Sequence, residues 1–126
     1  MLSVDFSVKQ SEAANVVRFN EKGMQELINS YMHLTKDVLP SLAKDGSQTW
    51  PVVEDHCFQR IVLDTICGGV WYEFIDRPAY KHLTMEQVSA AVQLCEAIID
   101  GRSNIQELNQ QSLIWRGKLH RVQNFK

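Results

Sequence analysis

His56, Arg60 and Asp64 fall at i, i+4 and i+8, so on a helix all three line one stripe. Arg60 and Asp64 can pair along that stripe, a contact that contributes about 0.3–0.5 kcal/mol when exposed. In a functional arrangement Asp64 would orient Arg60, and His56 would act as an acid or base. The apolar residues Phe58, Ile61, Val62 and Ile66 occupy a different face, so the charged stripe reads as solvated or as an interface.

Two further segments place cations beside aromatic rings. Trp71-Tyr72 is followed by Arg77-Pro-Ala-Tyr80-Lys81-His82, and Trp115-Arg116-Gly117-Lys118 repeats the combination near the end of the chain. Together they would make a basic, aromatic-lined surface, which suits phosphate groups or nucleotide bases through charge and stacking. The plainer alternative puts Trp71, Tyr72 and Trp115 in the core and leaves the cations in water. Residues 112–126 carry four cations and no acid, leaving −6 on the rest of a chain whose net charge is −2. That asymmetry permits an anionic partner. The candidate binding residues are therefore His56, Arg60, Asp64, Tyr80, Lys81, His82, Arg116 and Lys118. If they converge, they form a cationic concavity around one acidic residue, attractive to phosphate or carboxylate.

The three cysteines carry less. Cys57 and Cys67 are ten residues apart on one expected helix, roughly 15 Å along its axis, too far to share one ion. Zinc needs two close pairs of Cys or His ligands that converge, and no CxxC or other tight cysteine motif occurs, so neither a metal nor another cofactor is expected. Cys95 lies on the apolar stripe of its own helix and reads as a small core hydrophobe.

The elements that must position these groups are helical. Met24, Leu27, Ile28, Tyr31, Leu34 and Val38 follow three–four spacing, predicting a helix from Asn20 that Pro40 ends near Leu39. From about Val53 a second helix carries the charged stripe, and Gly68-Gly69 closes it. Val70–Ile75 reads as a helical turn or two, and Arg77–Leu83 as a connecting loop. Thr84-Met-Glu-Gln87 has the form of a capping box, opening a helix closed by Asp100-Gly101. Ser103-Asn-Ile-Gln106 has the same form and opens a last helix that stops at Gly117. At the other end Leu2, Val4, Phe6 and Val8 alternate with polar residues, as in a strand or extended arm, and residues 12–17 suggest a short helix. The expected fold class is all-α: a compact bundle of about five helices with an extended N-terminal arm. Residues 1–49 form the arm and a helical segment, 50–118 the helical core, and 119–126 a basic tail.

At 126 residues, 44% hydrophobic and 22% charged, the chain is long enough for one domain with its own core. The near-neutral charge argues against a protein that coats DNA. No run approaches the ~18 apolar residues of a membrane span, and no signal peptide opens the chain. A cytoplasmic protein with reduced thiols and no membrane partner is the expectation.

The stretches His56–Asp64, Gly68–Tyr72, Arg77–Leu83 and Leu108–Lys118, taken together, resemble a family of small bacterial proteins that often carry the label GNAT-type acetyltransferase. The resemblance covers roughly residues 54–118. It implies an acetyl-CoA-dependent enzyme built on a mixed α/β sheet, with the pyrophosphate on a loop of the form Arg/Gln-x-x-Gly-x-Gly/Ala. Neither Arg116-Gly-Lys118 nor Cys67-Gly-Gly69 supplies that loop. The residues themselves point first to a helical binding or regulatory module, expected as a homodimer with an anionic small molecule or protein partner. An acetyl-CoA transferase using the His56/Arg60/Asp64 stripe and a nucleic-acid-binding protein are the alternatives, and no catalytic residues are assigned.

Overall fold

The structure, a computed structural model, describes residues 22–46 and 49–118. Four helices carry the fold. Helix α1 runs over residues 22–44, α2 over Asp55–Cys67, α3 over Met85–Ile99 and α4 over Ile105–Trp115. Short 3-10 turns at Trp71–Glu73 and Ala79–Lys81 occupy the connection between α2 and α3. There is no strand among the described residues, so the all-α expectation stands and nothing there supplies the sheet of a GNAT fold. The described residues hold four helices against about five expected; the aromatic segment after Gly69 makes one 3-10 turn, within the helical turn or two expected there. The expected arm, the short helix at 12–17 and the basic tail lie outside the described residues.

Helix α2 is the centre of the bundle, packed on α1, α3, α4 and the turn at Trp71–Glu73. The three–four spacing of Phe58, Ile61 and Val62 puts all three wholly out of solvent, against Tyr31 and Leu39 of α1 and Val88, Ala91 and Cys95 of α3. Each large apolar side chain so buried contributes about 1.5–3 kcal/mol. Trp50 closes the near end edge-on to Phe58, with ring centroids 5.8 Å apart. No helix among the described residues is long and apolar enough to cross a membrane.

Three local details depart from, or follow, the sequence expectation for physical reasons. Helix α1 does not stop at Leu39. It widens into a π-helical stretch, Leu34–Val38, in which the Leu39 amide donates to the Leu34 carbonyl, and then continues through Pro40 to Lys44. Proline lacks the amide an α-helix requires, and its ring crowds the carbonyl four residues back. A wider turn immediately upstream relieves that conflict. Thr35 holds the stretch in place: its hydroxyl donates to the Tyr31 carbonyl (2.9 Å) and accepts from Gln59 Nε2 of α2 (3.1 Å).

The caps of α2 and α3 form as the sequence implies. Gly68 sits at φ 74°, a conformation an L side chain disfavours, and its amide donates back to Asp64. Gly69 is held by space instead, since a Cβ there would lie 3.1 Å from the Phe74 ring. Thr84 and Gln87 make the reciprocal capping box at 2.9 and 3.1 Å. At α4, however, the cap is Asn104 rather than a Ser103–Gln106 box. Its Oδ1 accepts from the amides of Gln106 and Glu107, leaving Gln106 to donate to the Thr49 carbonyl.

Candidate functional site

Asp64 is wholly buried, and its carboxylate is filled by donors. Arg116 Nε and Ser112 Oγ both reach Oδ2 at 2.7 Å, while Arg116 Nη2 (3.0 Å) and the Trp71 amide (2.9 Å) reach Oδ1. Two donors per oxygen satisfy the acceptor positions of a carboxylate held away from water. The Gly68-Gly69 turn delivers the Trp71 amide, and α4, crossing α2, delivers Ser112 and Arg116. The bidentate bond to Asp64 pushes the Arg116 guanidinium above its ordinary pKa.

Asp64 thus leaves the solvated stripe on which the sequence places it, and it does not pair with Arg60. Its partner is Arg116, 52 residues on. Local helical spacing offers a few tenths of a kcal/mol, whereas a buried carboxylate selects the donors that can follow it out of water. Arg60 turns instead to two neutral acceptors of α4: Nη1 donates to Ser112 Oγ at 2.7 Å and Nη2 to Asn109 Oδ1 at 2.8 Å. Ser112 therefore stands between Arg60 and Asp64, accepting from one and donating to the other.

Only one of the two guanidinium groups, that of Arg116, is paired with the carboxylate, and the excess positive charge is Arg60's. A guanidinium has five N–H donors, so three remain after these two bonds. Arg60 lines a cleft of about 480 Å³ between α1, α2 and the α2–α3 connection. Lys36, His56 and Arg77 also line it, with Tyr31, Leu63, Trp71 and Tyr80 supplying apolar wall. No aspartate or glutamate among the described residues belongs to that lining. The nearest carboxylate contact recorded for these cations is outside it, Asp55 at 3.6 Å from His56 Nδ1.

Next to the cleft, Tyr72 lies between two guanidinium groups. Arg77 stands 4.4 Å from its ring centroid and Arg116 5.3 Å, while Arg77 also stands 5.8 Å from Trp71. Such contacts fix the orientation of Arg77 without neutralising it.

Of the sequence-derived candidates, Arg60, Asp64 and Arg116 converge through Ser112, and His56, Arg60 and Tyr80 meet in the cleft. The others do not line it. Lys81 lies against the neighbouring Tyr80 ring at 6.0 Å, and His82 Nδ1 is 3.1 Å from the Pro78 carbonyl. Lys118 follows the last turn of α4, its amide donating to Leu113. Tyr72, expected either as core or as part of a stacking surface, is 44% exposed and engaged by arginines. Lys36, Ser112 and Asn109 were not singled out by the sequence. A serine or asparagine on a helix carries no signal until the fold names its partner.

Two other concavities are chemically different. One of about 480 Å³ at the α3–α4 junction is lined by Asp100, Asn104 and Thr49 without a cation, and one of about 570 Å³ on α3 contains Glu86. All three cysteines are free thiols. Burial pushes Cys95 up to about 12, and burial followed by the nearby Asp64 charge raises Cys67, so both stay protonated and poorly nucleophilic. No group of three or more potential metal ligands occurs among the described residues. No protein-family model, curated protein or solved structure matches the chain.

Proposed function

We propose that this chain is a helical binding module whose cleft captures an anionic ligand, or the anionic group of a partner, on Arg60. One observation carries the reading: Arg60 is anchored by two neutral acceptors while the adjacent carboxylate is consumed by Arg116. A guanidinium held in that way keeps its charge and loses little freedom on binding, which is preorganisation for an oxyanion. Lys36, Arg77 and His56 reinforce the same sign of potential from the other walls.

Thermal denaturation across an anion panel tests the reading. The panel contains phosphate, pyrophosphate, citrate, acetyl-CoA and a short single-stranded RNA. A ligand at ten times its Kd stabilises the native state by about 1.4 kcal/mol, roughly 5 °C for a domain of this size. We expect such a shift for at least one small anion, and its disappearance in Arg60→Gln. Shifts of equal size in both proteins would refute the assignment. Stabilisation by acetyl-CoA alone would favour acyl transfer, and a steeply salt-dependent effect of RNA alone would favour nucleic-acid binding.

A further inference from the structure

The cleft has walls as well as charge, and the two together narrow its ligand. Lys36, Arg60 and Arg77 present three fixed positive charges, and His56 adds a fourth when protonated. A monocarboxylate would balance only one of them. A phosphate monoester carries about −1.5 to −2 near neutral pH and three strong acceptor oxygens. That matches a cluster in which Arg60 has three donors left and Lys36 and Arg77 approach from other elements.

Inorganic phosphate alone would leave most of the space unused. The volume of about 480 Å³ falls in the range of small-molecule pockets, roughly 300–1,000 Å³. Trp71 and Tyr80, together with Leu63 and Pro78, offer flat or apolar surface that a polyanion such as pyrophosphate could not use. Tyr80 is 39% exposed, so part of its side chain is open to solvent.

Resting on the reading of the cleft as an anion site, the geometry points to a phosphate monoester borne on a flat, ring-containing body. Arg60 is its phosphate anchor, and Tyr80 and Trp71 are the surfaces for the ring. This chemistry is shared by a free nucleoside monophosphate and by the phosphotyrosine side chain of a protein.

Isothermal titration with phenyl phosphate, inorganic phosphate and benzoate separates the contributions. Phenyl phosphate should bind about tenfold more tightly than either of the others, one ring contact being worth about that factor. Arg60→Gln and Arg60→Lys should both weaken phenyl phosphate and inorganic phosphate, the lysine less, with far-UV circular dichroism unchanged. Tyr80→Ala, at an exposed position, should erase the advantage of the ring while leaving inorganic phosphate as it was. Equal affinity for phenyl phosphate and inorganic phosphate, both dependent on Arg60, would overturn the inference and leave the anion site standing. Benzoate matching phenyl phosphate would likewise overturn it. No Arg60-dependent binding of any anion would remove both. Adenosine monophosphate titrated against a phosphotyrosine peptide then distinguishes the two sources, the tighter ligand identifying which one the cleft is shaped for.

Discussion

Arg116→Met is the substitution that the buried ion pair makes most informative. Methionine replaces the aliphatic stem but leaves Asp64, with no exposure to solvent, holding only the Ser112 hydroxyl and the Trp71 amide. Removing one partner of a buried pair costs about 3–5 kcal/mol. The two surviving donors place this case at the lower end, and loss of the cation–π contact with Tyr72 adds about 0.5–1 kcal/mol. The expected cost is about 3–4 kcal/mol, a large share of the roughly 5–15 kcal/mol by which a domain is stable. With a urea slope of about 1.5 kcal/mol per molar, the unfolding midpoint should fall by roughly 2 M at unchanged slope. Ellipticity at 222 nm in a urea titration measures this directly. A cycle with Asp64→Asn isolates the pair, and a coupling of about 1.5–3 kcal/mol is expected. A cost below about 1 kcal/mol, or additivity within about 0.5 kcal/mol, would mean that the pair is not the buried, fully bonded unit described above.

Alkaline pH and the bridging serine give two more measurements. Burial raises the Cys95 thiol from its ordinary 9.0 to about 12 and, with the Cys95 charge adding, raises the Tyr31 hydroxyl as well. Above pH 9 the unfolded chain releases the thiol proton while the folded one keeps it. The stability Cys95 contributes is therefore full below pH 9 and falls by about 1.4 kcal/mol per pH unit up to about pH 12. Urea midpoints between pH 7 and 11 should show that decline, and Cys95→Ala, weaker at neutral pH through its cavity, should decline less steeply. An identical slope in the variant would contradict the assignment. Ser112→Ala should weaken anion binding without touching the ligand, because Arg60 loses its acceptor and can close onto Asp64, quenching its charge. Unchanged affinity in the same titration would show that the bridge does not maintain the charge of the cleft.

How far the sequence reveals this arrangement depends on the range of the interactions involved. Caps are local, so Thr84 with Gln87, and Gly68 after Cys67, identify helix boundaries from a few adjacent residues. Three–four spacing likewise identifies the buried faces of α2 and α3. The π-helical stretch escapes such reading because its hold on α2 is the Gln59–Thr35 bond, 24 residues apart, and because proline by itself signals a stop. Asp64 escapes for a related reason. A lone carboxylate would be ruinously costly in a core, so the natural expectation puts it in water. Three of the four donors that make burial tolerable come from Ser112 and Arg116, about 50 residues away, and the fourth is the Trp71 amide. The i, i+4 spacing of charges located Arg60, and proximity of charged and aromatic residues in sequence located Arg77 and Tyr80. It gave no means of separating them from Lys81, His82 and Lys118, which the same segments carry on other faces.

The burial of Asp64 is also what gives the cleft its sign. Had Arg60 and Asp64 paired along α2, the two charges would have cancelled at the surface, and Arg116 would have been an ordinary solvated cation. Because Asp64 instead takes two N–H groups of Arg116, the hydroxyl of Ser112 and the Trp71 amide, its four acceptor positions are filled before Arg60 can reach it. Arg60 is then held by oxygens that orient it without neutralising it. A structural ion pair at the α2–α4 contact thereby leaves its uncompensated charge on the other side of the helix contact, facing Lys36 and Arg77 across an apolar-walled cavity. In the proposed reading, stability and anion binding would be coupled through one serine hydroxyl: the network that makes a buried carboxylate affordable is the same one that orients a partly buried guanidinium.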